Sequence, residues 1–300
     1  MNKLQFTLML AVILVLSACS KKTQTTTQPS SSALDEPYFG EEPPGLTPKL
    51  FDPKTVSPRG LFEGGTFSPD MKEYYFNRMD EHYEKRTFYV IRNENGRWGK
   101  ESETDIRWPH FSEDGTMMYG GKWYRERTEN GWSEPKNQGE FLKDQGHGTS
   151  LSSKGNYYFG FYLIEDIGLG SIRYSRLVNG QYEPPHKLSE AINTGIDIAH
   201  PFIAPDESYL MWDVIREDGH GGSDIYISFR DQDGSWLPAI NLGPQINTEL
   251  QESSPRVTHD GKYLFFSRGQ WKTREDKRRY WVGRPYWVDV QVIENLRPKH

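Results

Sequence analysis

The sequence predicts an all-β fold, a single β-propeller built from four-stranded blades. Two observations lead to this prediction: a block of residues recurs at spacings of 40 to 54 residues, and tight-turn signals recur within each block. Periods of this length in a β-rich pattern are typical of propeller blades. Composition agrees, because 14% aromatic residues with 28 Gly and 19 Pro favour strands and turns.

The clearest repeat is a pair of segments that lie 54 residues apart. Residues 192–212 and 246–266 share Ile, Asn, Thr, Pro, Asp, Tyr and Leu in register, without a gap. Weaker copies upstream also place an apolar residue before a turn and an aromatic-rich strand after it. These apolar residues, called the alignment residues below, are Phe67, Phe111, Leu151, Ile203 and Val257. Each repeat therefore predicts an inner strand and an adjoining aromatic strand.

A second set of turns predicts the other two strands of each blade. Asn-Gly or Asp-Gly pairs at 95–96, 130–131, 179–180 and 233–234 stand one or two residues ahead of a Trp or Tyr. Such pairs supply the positive φ values of tight hairpins. With a third strand such as 224–228, each repeat contains an inner, an aromatic, a third and an outer strand.

The two ends of the chain predict how the ring of blades closes. The fifth repeat runs to residue 290 without an outer strand, and residues 48–53 resemble the outer-strand pattern of 237–242. We expect the N-terminal strand to complete the last blade, which removes an open sheet edge. Five blades result, and a sixth would require a degenerate repeat.

Three patterns in these repeats resemble those of a known family. Ser68-Pro-Asp before an aromatic strand, Gly-Gly-Ser-Asp-Ile-Tyr at 221–226 and Trp236-x-Pro look like the TolB-like (WD-related) β-propeller repeat, over about residues 46–292. The turn departs from the family pattern at Lys154, which replaces Asp, and at Met71 and Glu207, which replace Gly. The resemblance implies the fold and leaves the function open, because such repeats serve scaffolds, receptors and some enzymes.

The N-terminus predicts a lipid anchor. Residues 1–18 are predicted to be a lipoprotein signal peptide, because they have a short positive start and an apolar run from Phe6 to Leu16 that is too short to span a bilayer. The run ends in Leu16-Ser-Ala-Cys19, which resembles the bacterial lipobox, where the Cys becomes the lipidated first residue. Cys19 is the only cysteine, so no disulfide can form within the chain. An ordinary signal peptide with an incidental Cys is the alternative.

The remaining chain divides into a tether and a folded domain. Residues 19–45 are predicted to be the lipidated Cys and a flexible tether, because Ser20 to Ala33 is almost entirely polar, and 46–300 the propeller domain. Because Ser20-Lys-Lys lacks an Asp or an acidic run, we expect the periplasmic face of the outer membrane. Without Lys3 the chain has 35 basic and 42 acidic residues, a net charge of −7, which argues against a nucleic-acid partner.

Strand direction predicts which face carries a site. In antiparallel blades the tight turns all lie on one face and the long connections on the other, so a ligand is expected on the long-loop face. In the first three repeats, the residue four positions before the alignment residue is Glu63, Arg107 or His147. In the last two repeats, His200 and Glu252 are adjacent to that position. They predict a polar funnel, although solvated loop ends are polar in every propeller.

The segment from Arg268 to Arg284 adds seven basic residues, among them Arg278 and Arg279, with Trp271 interleaved. This basic and aromatic loop could contact lipid head groups, an acidic glycan or a protein, and a solvated long loop is the alternative. Four histidines near the inner strands lie in different registers, so no metal or other cofactor is expected. They are His110, His147, His200 and His259.

Together these patterns predict a lipid-anchored envelope protein that acts as a non-catalytic binding or scaffold module for a protein or an envelope glycan. The alternative is a carbohydrate-active enzyme whose carboxylates, Glu63, Asp197 and Glu252, converge in the funnel. A third possibility is a purely structural assembly lipoprotein. The sequence shows no nucleophile elbow and no phosphate-binding loop, which favours the binding module.

Overall fold

A computed structural model describes residues 37–53, 56, 61–139, 148–161 and 170–299 of the protein. Within those ranges the chain forms 24 β-strands, one 3₁₀ helix (Pro37–Gly40) and one short α-helix, α1 (Gln291–Glu294). None of the helices in the described ranges has the length and apolar character needed to cross a bilayer. Cys19, the signal-peptide residues and His147 lie outside the described residues.

The strands form five antiparallel sheets around a common axis, so the predicted five-bladed propeller is confirmed. The first strand, β1 (Lys49–Leu50), belongs to the last blade. Blade 1 contains β2 (Leu61–Phe67), β3 (Glu73–Met79), β4 (Arg86–Glu94), β5 (Arg97–Trp98) and β6 (Ser102–Glu103). Blade 2 contains β7 (His110–Phe111), β8 (Met117–Gly120), β9 (Trp123–Thr128), β10 (Gly131–Trp132) and β11 (Lys136–Asn137).

The other three blades follow the same order from the axis outwards. Blade 3 contains β12 (Thr149–Leu151), β13 (Tyr157–Phe161), β14 (Ser171–Ser175) and β17 (His186–Lys187), with the small pair β15 (Leu177–Val178) and β16 (Gln181–Tyr182) beside it. Blade 4 contains β18 (Ile196–Ile203), β19 (Tyr209–Ile215), β20 (Asp224–Phe229) and β21 (Ile240–Asn241). Blade 5 contains β22 (Gln251–Val257), β23 (Tyr263–Thr273), β24 (Arg279–Asp289) and β1.

The ring closes through the N-terminal strand, as the sequence predicts. Strand β1 pairs antiparallel with β24, with Lys49 opposite Trp287 and Leu50 opposite Tyr286. The next residue, Phe51, is fully buried and donates its backbone N–H to the carbonyl of Pro285 at 2.9 Å. The edge of β24 is therefore paired from Pro285 to Trp287 rather than open to another chain there.

The packed chain begins earlier than the predicted domain boundary at residue 46. Tyr38 and Phe39, which fall in the predicted 19–45 tether, are buried among the aromatic side chains between blades 5 and 1. The Tyr38 hydroxyl also donates a hydrogen bond to Asp260 Oδ1 at 2.7 Å. The polar composition that indicates a tether ends before these two aromatic residues, whose burial is favourable enough to order the segment.

The repeated Ile-Asn-Thr segment ties each connection to the blade before it. Asn247 accepts a hydrogen bond from the backbone N–H of Ile225 in β20 and donates one to its carbonyl, both at 2.9 Å. Asn193 makes the same two bonds with Ile172 in β14, at 2.6 and 3.1 Å. An amide side chain offers the required acceptor and donor together, which explains why this residue recurs.

Every inner segment contains a left-handed residue three positions before its alignment residue. These residues are Gly64 (φ 119°), Trp108 (43°), Gly148 (74°), His200 (44°) and Ser254 (55°). In blades 1, 4 and 5 the ladder between the inner strand and its neighbour shifts register at this point. Such bulges change the direction in which the following side chains point.

The Asp turns cap their own backbone. Asp70, Asp114, Asp206 and Asp260 each accept a hydrogen bond from the N–H two residues further on, at 2.9 to 3.3 Å. Met71 and Glu207, which replace the turn Gly, adopt φ values of 57° and 63°. The turn geometry is therefore kept where the glycine is missing, although a residue with a side chain adopts the left-handed conformation at a steric cost.

Candidate functional site: the long-loop face and the central channel

Tight turns and long connections lie at opposite ends of the blades. In blade 4, Tyr209 of β19 stands opposite Phe229 of β20, so the Asp206 turn and the Asp233 turn lie at the same end. We call this end the short-turn face and the other the long-loop face. Glu63, Arg107, His200 and Glu252 lie towards the long-loop face, where the inner strands begin.

Glu252 does not line an open funnel, because the structure buries it. Its side chain has 0% of its area exposed. One oxygen accepts hydrogen bonds from Arg268 Nε and Thr248 Oγ1, both at 2.7 Å, and the other accepts from the Thr248 N–H at 2.9 Å. The carboxylate therefore holds the connection before β22 against β23.

Glu63 is also paired with an arginine. Arg86 Nε donates to its Oε2 at 2.9 Å, and only 7% of the carboxylate side chain is exposed. Burial raises the pKa of Glu63, and Arg86 opposes that rise. Because arginines neutralise both Glu63 and Glu252, the structure offers little support for the predicted acid pair. Asp197, the third predicted carboxylate, is exposed at the start of β18.

Arg107 and the next residue form an exposed aromatic and basic rim above blade 2. The Arg107 guanidinium lies 5.6 Å from the ring centre of Phe88. Trp108 is 49% exposed and holds the left-handed bulge position, with the Arg86 guanidinium 5.4 Å from its ring. A large aromatic residue in this backbone conformation is rare and marks places where function can outweigh strain.

His200 bonds to a buried acid within its own blade. Its Nδ1 lies 2.9 Å from Oδ1 of Asp213, and the same oxygen accepts the backbone N–H of Ser254 at 2.8 Å. Burial lowers the pKa of His200, but the Asp213 carboxylate outweighs this effect and the net pKa is raised. The bulges of blades 4 and 5 thus meet at one carboxylate.

The residues just before the alignment residues lie on the inner segments of the blades, and the funnel predicted from the sequence did not include them. They are Thr66, His110, Ser150, Phe202 and Arg256. An Arg256 Nη1 hydrogen bond to Thr66 Oγ1 spans blades 5 and 1. Burial and, to a lesser extent, the charge of Arg256 lower the pKa of His110 in blade 2, and Arg256 also opposes protonation of His200 in blade 4. Side chains from four blades therefore share the channel.

The predicted basic loop is instead a long β-hairpin. Strands β23 and β24 remain paired up to Thr273 and Arg279, so only residues 274–278 form the tip. Trp271 and Trp281 stand directly opposite each other, with ring centres 5.7 Å apart. The Trp281 ring lies over Gly283, where no side chain would fit. Alternation along the strands places both tryptophans on the same face of the hairpin.

Ion pairs and a ring contact fix the base and one face of this hairpin. At the base, Arg268 pairs with Glu252 at 2.7 Å and Arg284 with Asp52 at 2.8 Å. On the face opposite the tryptophans, Tyr280 packs against Tyr83 of blade 1, with ring centres 4.9 Å apart. Near the tip, Arg274 donates to the carbonyl of His82. The hairpin is therefore a firm support rather than a loose loop.

The outer half of the hairpin carries accessible cations beside an aromatic ring. Trp271 is 49% exposed, and the Arg279 guanidinium lies 5.2 Å from its ring centre. Lys272, Lys277 and Arg279 are exposed, and among the described residues none of the three has a carboxylate within 4.0 Å. Arg278 is also exposed but pairs with Asp276 at 2.7 Å.

The acidic segment at 217–224 is a structural turn. Asp224 accepts the His220 N–H at 2.7 Å and the Asn241 side chain at 2.8 Å, and Asp218 accepts the Tyr226 hydroxyl. In the described part of the chain, no three His, Cys, Asp or Glu side chains are grouped so that they could hold a metal ion.

The sequence matches no family model and no curated protein. Solved structures similar to the chain include a putative TolB from Agrobacterium tumefaciens (13% identity, 77% of this chain and 90% of that chain, TM-score 0.45). TolB from Acinetobacter baumannii has 14% identity over 77% of this chain and 57% of that chain, with a TM-score of 0.45. A gluconolactonase from Xanthomonas campestris has 12% identity over 76% of this chain and 85% of that chain, with a TM-score of 0.40. Similarities at this level assign neither a family nor an activity to this chain.

Proposed function

We propose that the protein is a non-catalytic binding module of the cell envelope whose long-loop face captures an acidic glycan. The observation that carries this proposal is the hairpin β23–β24, which presents an exposed tryptophan beside accessible cations. The Trp271 ring offers a flat apolar face to a sugar ring, and the Arg279 guanidinium offers paired donors to a carboxylate or phosphate substituent. An acidic envelope protein is the other possible partner.

Charge complementarity supports this choice of partner. The whole chain has a formal net charge of −6, so a patch of unpaired cations is a local exception. Three of the seven large exposed hydrophobic residues within the described ranges, Trp108, Ile196 and Trp271, lie on the long-loop face, and so do Arg86, Arg107 and Arg279. Aromatic and arginine side chains are enriched where proteins bind partners.

The proposal includes attachment to the membrane through a lipidated Cys19, on the periplasmic face of the outer membrane. The lipobox-like sequence before Cys19 supports the anchor. Cys19 precedes the packed chain, which begins by residue 37, by 18 residues. A tether of that length, if flexible, would let the propeller reach about 20–25 Å from its anchor.

The proposal is tested by retention of the detergent-solubilised full chain on an immobilised polyuronate and on a neutral glucan. We expect retention on the polyuronate alone, falling as salt rises. Arg278→Glu with Arg279→Glu should weaken it about tenfold or more, because two attractive charges become repulsive. Trp271→Ala should weaken it severalfold. The matched control, Lys72→Glu with Arg97→Glu on the short-turn face, makes the same charge change and should have no more than a small effect.

Three outcomes would count against the proposal. Equal retention of the wild type and the Arg278/Arg279 variant would remove the hairpin from the binding surface. Binding to neither glycan, with an acidic protein captured instead, would favour the protein partner. Release of oligosaccharides, lost in Glu252→Gln, would establish the carbohydrate-active enzyme.

A further inference from the structure

The inner segments of the five blades, which surround the axis, contain no acidic residues just before their alignment residues. The positions one, two and three residues before the five alignment residues make fifteen positions, three of which are glycine, and none of them is Asp or Glu. They include Arg256, His110 and His200. The nearby carboxylate of Asp213 is occupied by His200 and by the Ser254 N–H. Arg256 is therefore the only permanently charged side chain at these fifteen positions, which makes this part of the channel locally positive in a protein of net negative charge.

Arg256 is the centre of this positive region. Its one hydrogen bond within the described residues is to the neutral hydroxyl of Thr66, and no carboxylate of those residues lies within 4.0 Å of its nitrogens. The residue is half-buried, so it retains some contact with solvent. Burial lowers the pKa of Arg256. A partly desolvated cation without an anion is unfavourable, and proteins normally pair such charges.

A second polar group near Arg256 also lacks a partner. The hydroxyl of Tyr74 is buried and has no hydrogen-bond partner among the described residues. The Tyr74 ring lies directly beneath Gly65, the residue before Thr66, where a side chain would collide with it. Tyr74 and Arg256 interact electrostatically. A buried donor without a partner costs about 1–3 kcal/mol, which a bound acceptor would recover.

We infer that the channel is a binding site for a small oxyanion, a phosphate or carboxylate group, held by the Arg256 guanidinium beside Thr66, Tyr74 and His110. The planar guanidinium offers two parallel N–H donors to such a group, and the hydroxyls and the neutral imidazole complete the set of donors. This site lies inside the ring and is separate from the hairpin β23–β24. The group is free in solution or is the end of a larger molecule that enters from the long-loop face.

The first test is thermal unfolding of the detergent-solubilised full chain at pH 7 in sodium phosphate, sodium acetate or sodium chloride of equal ionic strength. Phosphate or acetate at about 100 times its dissociation constant should raise the midpoint by roughly 5 °C over chloride. A shift with only one of them identifies that group as the ligand. Arg256→Gln should remove the shift, while Arg97→Gln, an exposed arginine on the short-turn face, should keep it.

Equal midpoints for the wild type in all three salts would overturn the inference, as would an unchanged shift in Arg256→Gln. Because that variant could fail to fold, a second measurement uses only the wild type. Phosphate and acetate titrations are followed through the imidazole NMR signals, with that of His110 assigned from a His110→Gln variant. Binding should move the His110 signal and leave those of the surface residues His82 and His186 in place. A stationary His110 signal in both titrations would also overturn the inference.

Discussion

At the scale of single residues, the left-handed bulge residues determine which groups the inner strands contact. His200 has a φ of 44°, and its imidazole reaches Asp213 on the neighbouring strand of the same blade. Ser254, at the same position of blade 5, has a φ of 55° and donates its N–H to that acid. Residues in left-handed conformations are tolerated where surrounding contacts hold them. The Asp213 carboxylate therefore holds two bulges in place and favours the protonated form of His200.

This arrangement predicts a pH-dependent stability. Because Asp213 raises the pKa of His200 above 6.5 in the folded state, the charged imidazole stabilises the fold fully below pH 6.5. That contribution is lost as the pH rises through the folded-state pKa. A partly exposed pair contributes at most about 1 kcal/mol, equivalent to roughly 2–4 °C in midpoint.

The measurement is the unfolding midpoint of the wild type and of His200→Gln between pH 6.5 and 8.5. The wild type should lose stability relative to the variant across this window. His110 does not confuse the comparison, because burial, with the charge of Arg256, lowers its pKa to about 3. The effect of His110 on stability therefore appears only below pH 6.5, outside the measured range. Parallel midpoint curves for the two proteins would show that the His200–Asp213 pair has no energetic role.

At the scale of elements, the N-terminal segment contributes more than the closing strand. Residues 37–45 place Tyr38 and Phe39 between blades 5 and 1, where Phe39 packs 4.4 Å from Trp98 and Tyr38 packs 4.9 Å from Tyr263, measured between ring centres. Strand β1 then supplies the backbone pairs that close the ring. The segment therefore seals the seam where the first and last blades meet.

Two truncations separate these contributions. A chain that begins at residue 37 should unfold at the temperature of the full chain. A chain that begins at residue 46 keeps β1 but loses both aromatic residues, and we expect it to be less stable by at least about 4 kcal/mol, since removing one buried aromatic typically costs 3–5 kcal/mol. Denaturant unfolding measures the difference. Equal stabilities of the two truncated chains would show that residues 37–45 do not stabilise the fold and belong to the predicted tether.

At the scale of the whole molecule, the fold was predictable because its signals are local. The Asp turns, the Asn-Gly turns and the aromatic strands each occupy a few adjacent residues, and their spacing determines the blades. Closure by β1 was also predictable, since residues 48–53 resemble an outer strand. The Ile-Asn-Thr repeat likewise has a local cause, because Asn193 and Asn247 bond to matching backbone groups in consecutive blades.

The site was less predictable because it depends on contacts between distant residues. Glu252 looked like a rim carboxylate, but Arg268 pairs with it across the β22–β23 ladder. The register shift at Ser254 brings Arg256 to Thr66, which is 190 residues away in the chain. A prediction that side chains simply alternate between the two faces of the strand, counted from the alignment residue, does not include that shift. The cross-strand pair Trp271–Trp281 was the available signal that residues 268–284 form a hairpin rather than a loop.

The most direct test of the central claim is residue-specific photo-crosslinking in intact cells. A photoreactive amino acid replaces Trp271 on the long-loop face or, as control, Asp233 in the tight turn of blade 4 on the short-turn face. If the long-loop face captures a partner, the Trp271 position should yield a discrete crosslinked species, and the Asp233 position should not. Crosslinking at Asp233 with none at Trp271 would place binding on the opposite face and contradict the account.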